Sequence, residues 1–240
     1  MGKLIGGFFS NDSTFGRIIG RIWIMIGANL MFVIFTLPVI TIGPAMAALY
    51  YVMLETLHKD DSLNPFTTFF KGFRMNLKQG LLSTLLFGGI AAVLILDIRF
   101  CIYADGIWDT FKYACYALLF FLIIEAIYLY PVMAAFEDTL PHLLRNAFFF
   151  AARKPWKVIP AAAFFIIPIA VTILDVRNRP LYGFLWVVIG AGLITMLVSE
   201  LLYSDIKKYL PSEDAEPEPA NTGIHKKSTR EILKEMKKLE

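Results

Sequence analysis

Apolar residues in this chain gather into long runs with at most one charged residue each, and the polar residues between them fall in short clusters. A helix that crosses a bilayer needs about 20 such residues in a row. Six runs approach that length, at residues 22–40, 43–57, 80–96, 113–136, 158–174 and 181–203. The second is the shortest, and a five-span arrangement follows if it does not cross. The pattern predicts an all-α, polytopic helical membrane protein. Its membrane domain covers residues 1–210, and residues 211–240 form a separate tail.

Two of the intervening segments carry helical periodicity of their own. Asn64 followed by Pro65 reads as an N-cap with proline at the first helical position. Phe66, Phe69, Phe70, Phe73 and Leu77 then share one face, while Lys71, Arg74 and Lys78 lie on the other. A second segment repeats the design with Thr139 as cap, Pro141 early, and Leu144, Ala147, Phe148 and Ala151 at helical spacing before Arg153 and Lys154. These loop helices either dip their apolar face into the inner leaflet with cations on the headgroups, or present it to a partner. Phe69, Phe73, Arg74 and Lys78 are the candidate docking residues.

Between the first two runs, Pro38, Thr41, Gly43 and Pro44 enforce a tight helical hairpin, because the prolines end one helix and open the next. Gly43, Ala45, Ala47 and Ala48 then offer small surfaces for close packing, as do Gly80, Thr84, Gly88 and Ala92 along the third run. Past Tyr209 the character changes. Residues 211–219 are acidic and proline-bearing and are expected to be disordered, and Ser228 with Glu231 forms a capping-box pattern opening a short basic helix. At the other end, Phe8 and Phe9 read as an interfacial anchor, and the first apolar run is too long for a cleaved signal peptide.

Composition agrees with the pattern: 57% hydrophobic residues and a mean hydropathy of +0.61 leave a bilayer as the only plausible solvent. Charge then orients the spans, since basic residues concentrate in cytoplasmic loops. With six spans and both termini cytoplasmic, 19 of the 23 lysines and arginines fall inside, and only Arg99, Lys112, Arg177 and Arg179 fall outside. The five-span alternative divides them 16 to 7.

Chemistry inside the apolar runs is sparse. Glu125 lies near the centre of the fourth run, where a charged carboxylate costs about 2.5–3.5 kcal/mol, so it is expected to be neutral, paired or facing a polar cavity. Tyr128 follows one turn later, and Asn29 in the first run is a possible partner. Glu55 and Glu200 lie near span ends, within expected reach of headgroup water. Cys101 and Cys115 both fall near the outer side, where buried free thiols are favoured over a disulfide. His58, His142 and His225 lack ligand spacing, so no metal site is expected. No phosphate-binding glycine loop, nucleophile elbow or paired catalytic carboxylates appear, so no catalytic residue, cofactor or enzymatic activity is expected. The small basic cluster in the tail argues against nucleic-acid binding.

The string LPVITIGPAMAALYYV, with FFKGFRMNLKQ downstream, resembles the signature of the YesL-like family of bacterial integral membrane proteins, a domain of unknown function. The resemblance implies the cytoplasmic membrane of a bacterium and association with sugar-uptake ABC transporter subunits. It assigns no catalytic residue. The leading expectation is therefore a non-enzymatic accessory protein of a transport system. The alternatives are a self-contained permease with its pathway near Glu125, and a membrane sensor or scaffold.

Overall fold

The structure, a computed structural model, describes residues 14–58, 63–103 and 106–207. The Phe8–Phe9 anchor, the acidic linker and the Ser228–Glu231 capping box lie outside the described residues. Helices α1 (Thr14–Thr36), α2 (Ile42–His58), α3 (Pro65–Tyr103), α4 (Ile107–Ala135), α5 (Leu140–Arg153), α6 (Pro155–Leu174), α7 (Arg179–Leu185) and α8 (Ala191–Ile206) follow one another. Short 3-10 turns at Val39–Thr41 and Val176–Asn178 precede α2 and α7, and a π-helical turn, Trp186–Gly190, joins α7 to α8. Among the described residues there is no strand. Six helical stretches are long and apolar enough to cross a membrane: Gly16–Thr36, Val39–His58, Pro65–Tyr103, Thr110–Ala135, Pro155–Leu174 and Val176–Ile206. The chain is an all-α, polytopic membrane protein.

The shortest apolar run turns out to be the centre of the bundle. Helix α2 buries every residue from Ala47 to Thr56, with Leu49, Tyr50, Tyr51, Val52, Met53 and Leu54 fully covered. A helix enclosed by protein on all sides has no lipid-facing stripe to fill with large aliphatic groups, which is why it is the least hydropathic of the six. Helix α6 is its opposite. Only Ala161 is buried there, and Ile159, Ile166, Ile167, Ile173 and Leu174 face outward as lipid-exposed aliphatics should.

The α1–α2 hairpin is closed by side chain as well as by proline. The last carbonyls of a helix lack intrahelical donors. Thr41 supplies one by donating its hydroxyl to Phe35 O (2.5 Å) and Pro38 O (2.6 Å). Thr36 bonds back to Phe32 O at 2.9 Å. Across the hairpin, α2 and α3 meet backbone to backbone at Gly43 and Gly80. A Cβ on Gly43 would strike the Gly80 carbonyl, and one on Gly80 would meet Pro44 N at 2.5 Å and Pro44 Cα at 2.6 Å. The Gly43 N–H donates to Thr84 Oγ1 at 2.8 Å, so one polar contact locks the register. The small-residue stripe on α3 is used only in this first half. A Cβ on Gly88 or Gly89 would meet nothing within 4 Å among the described residues, and further along Leu94 and Ile98 pack with Cys115 of α4 in a small separate cluster.

The expected first loop helix does not exist as a separate element. Asn64 caps as expected, accepting from the Phe66 N–H at 3.0 Å, but the helix it opens runs unbroken for 39 residues into the span. Nothing between Phe66 and Leu96 stops it, since this stretch contains no proline. At 1.5 Å per residue α3 is roughly 58 Å long, about twice the thickness of a hydrocarbon core. The second loop segment does form its own helix, α5. Its N-cap residue Thr139 makes no side-chain cap bond, and Asp138 instead accepts from the Thr139 N–H at 2.6 Å.

Candidate functional site

The sequence candidates Asn29, Glu125 and the Phe69, Phe73, Arg74 and Lys78 group mark three places in the bundle. The first is a polar node where α1 meets the broken last span. A π-helical turn shifts backbone hydrogen bonds out of register, leaving carbonyls and N–H groups in need of partners, at a high cost inside a membrane. Asn29 answers that need: its Nδ2 donates to Trp186 O at 3.0 Å and Val187 O at 2.6 Å, and its Oδ1 accepts from Gly192 N at 2.8 Å. Asn29 is fully buried, and Gly192 lets the two backbones approach, since a Cβ there would lie 2.8 Å from Met25 O. The expected pairing of Asn29 with Glu125 is thereby corrected. All its amide groups are committed to the last span, as three short bonds to a rigid backbone outweigh one to a flexible carboxyl.

The second place is an open-sided cavity of about 780 Å³ bordered by α3, α4, α5 and α6. Ile90 and Leu94 line it from α3, Phe121 and Leu122 from α4, Phe148 and Ala152 from α5, and Val158 and Ile159 from α6. Among the described residues Glu125 is the one charged side chain of the lining. It is half-buried, and among the described residues no group hydrogen-bonds to its carboxyl. Phe121, Phe148 and Ile159 are 63%, 64% and 73% exposed, so the cavity opens sideways, toward lipid. Tyr128, one turn from Glu125, faces the other way into the core at 1% exposure, with its hydroxyl unbonded among the described residues. These two neighbours in sequence do not form one site.

The third is the beginning of α3. Phe69 and Phe73, expected on a docking face, are buried at 0% and 8% exposure. They pack on Phe35 of α1 with ring centroids 5.6 and 4.7 Å away, because α1 runs beside this segment and Gly27 lets it approach Pro65. Docking through those two rings is therefore corrected to packing. The exposed part of the stripe is Phe66 and Phe70, with Arg74 standing over the Phe70 ring at 5.8 Å and Lys78 exposed one turn on. Phe66, Thr67, Phe70, Lys71, Arg74 and Met75 border a depression of about 610 Å³.

Among the remaining candidates, Glu55 does not reach out to headgroup water as expected. It is 2% exposed and accepts a hydrogen bond from Tyr51 Oη at 2.8 Å. Glu200 is exposed on α8. Cys101 and Cys115 are buried free thiols.

A polar latch escaped the sequence reading. Asp205 near the end of α8 takes Lys154 on Oδ1 and Lys157 on Oδ2, the latter at 2.8 Å. Lys157 also donates to Leu201 O at 2.6 Å and Ser204 Oγ at 3.0 Å, tying the α5–α6 junction to the last helix. The signal was an acid at the end of an apolar run otherwise followed by lysines. On the opposite side of the bundle, Asp175 accepts from Asn178 Nδ2 and from Tyr182 Oη, each at 2.8 Å. These bonds, the one from Asn178 foremost, hold its carboxyl below the usual carboxylate range.

Fold and sites together define a multi-pass helical membrane protein in which one buried helix, α2, organises the bundle. Residues 25–98 match the model of a family described as a protein of unknown function, DUF624. The match takes in the second half of α1, all of α2 with the glycine crossing and nearly all of α3, and leaves out the α4, α5 and α6 walls of the cavity. No curated protein and no solved structure matches the chain.

Proposed function

We propose that this protein is a non-enzymatic accessory component of a membrane transport assembly in the bacterial cytoplasmic membrane, with both termini cytoplasmic. The Phe66–Phe70–Arg74 face would dock a partner subunit of the ABC-transporter kind that the YesL-like resemblance implies. The observation that carries the reading is the division of the phenylalanine stripe. Phe69 and Phe73 are consumed in fastening α3 to α1, while Phe66 and Phe70 stay 40% and 46% exposed beside a cation. An aromatic pair with an arginine on a rigid helix is the composition that dominates protein interfaces. The surroundings of Glu125 weigh against the permease reading, since its cavity is walled by aliphatic and aromatic groups and not by polar ones that would stabilise a hydrated path.

The test is photocrosslinking from a benzophenone residue at position 70, in intact membranes, with the transport subunits coexpressed. A discrete crosslinked protein, lost in a Phe66→Ala/Arg74→Ala background and retained in Thr67→Ala, is expected. Crosslinking to lipid alone would overturn docking and leave the face as an interfacial anchor.

A further inference from the structure

We propose that the Glu125 cavity is a binding site for a single-chain amphiphilic amine, entering sideways from the bilayer with its hydrocarbon body against the α3–α6 walls and its ammonium on the Glu125 carboxylate. Three observations converge on that ligand. The volume, about 780 Å³, falls within the range of roughly 300–1,000 Å³ typical of small-molecule pockets. The walls are apolar on every side, from Ile90 on α3 to Phe148 on α5 and Ile159 on α6, and the exposed rings and aliphatics at the rim leave the opening toward lipid.

The third is charge. Among the described residues no lysine, arginine or histidine lines the cavity, so a fatty acid or a phosphate headgroup would find no counter-charge there and would meet a carboxyl instead. Glu125 has no hydrogen-bond partner among the described residues, and a carboxyl held in apolar surroundings gains most from a partner that supplies both a donor and a positive charge. An amine does both. A neutral alcohol supplies only the donor. The selectivity expected of the site is therefore amine over alcohol over carboxylate at equal chain length. This site is on the opposite half of α3 from the Phe66–Arg74 face, so the two readings stand or fall separately.

The experiment uses the full chain in nanodiscs of zwitterionic lipid and three diazirine-bearing probes of one chain length, ending in a primary amine, a hydroxyl or a carboxylate. Saturable labelling by the amine probe, mapped to the peptides containing Phe121, Phe148 and Ile159 and displaced by dodecylamine, is expected. Glu125→Gln is expected to weaken that labelling at least tenfold while gel filtration and circular dichroism stay unchanged. Ala152→Phe keeps the carboxyl and fills an exposed position on the wall, and it should abolish labelling by obstruction. Equal labelling by all three probes, or amine labelling that survives Ala152→Phe, would overturn the proposal by showing that the cavity holds any acyl chain or none in particular.

Discussion

The side chain of Asn29 and the backbone of Gly192 are joined by a 2.8 Å hydrogen bond that crosses from the first helix to the last, 163 residues away in sequence. With two further bonds to Trp186 and Val187, one amide closes the gap opened by a π-helical turn. Inside a bilayer no water stands ready to replace it. Asn29→Leu is expected to destabilise the bundle by about 1–3 kcal/mol. Asn29→Asp should cost more, since it brings an acceptor oxygen against two carbonyls. Thermal unfolding followed by size-exclusion fluorescence in detergent checks both. An aspartate variant as stable as the parent would mean that the amide is not holding the turn.

The glycine crossing makes a second prediction by contrast within one helix. Gly80→Ala puts a methyl group onto Pro44 and is expected to cost about 1–3 kcal/mol through overpacking. Gly88→Ala, two turns on, meets nothing within 4 Å and should be neutral or mildly stabilising. Melting temperatures of the two variants test it. Similar values would remove the close approach as the reason for glycine at position 80.

The latch at Asp205 predicts an order of effects. Lys157 is the more enclosed lysine, with 14% side-chain exposure against 32% for Lys154, and it makes three bonds in place of one. Lys157→Met should therefore destabilise more than Lys154→Met, and Asp205→Ala most of all, because it strands two cations at once. Charge-assisted bonds of this kind contribute about 1.5–3 kcal/mol each. Denaturation in detergent at low and high salt measures the order. A latch abolished by salt alone would place it in the solvent-screened class.

Topology supplies the fourth. In a background without Cys101 and Cys115, single cysteines at Lys71 and Arg153 should label only from the cytoplasmic side, and those at Arg99 and Arg177 only from outside. External labelling of an N-terminal cysteine, with the remaining sites as expected, would mean that α2 does not cross.

Much of this architecture was legible because hydropathy and proline report directly on span and turn. The Pro38–Pro44 hairpin, the Asn64 cap and the number of long apolar helices all follow from local rules. Local rules also set the limits. Periodicity marked Phe66, Phe69, Phe70 and Phe73 as one stripe, yet only the packing of α1 and α2, far away in sequence, decides which rings are core and which are surface. Asn29 was recognisable as a buried polar group, while its partners are backbone atoms of an irregular turn that no side-chain pattern announces. Glu125 was visible as the costly residue, but the cavity around it is built from four helices whose lining positions are ordinary aliphatics and phenylalanines.

The unbroken length of α3 has a mechanical consequence. Gly80 bears on Pro44 at a point inside the helix, which leaves about 22 Å of rod toward Pro65 and about 34 Å toward Tyr103. The short arm is held fast, with Phe69 and Phe73 on Phe35 and Gly72 against Tyr51. The long arm carries Ile90 and Leu94 of the cavity wall, so that wall projects from a root fixed on the far side of the crossing.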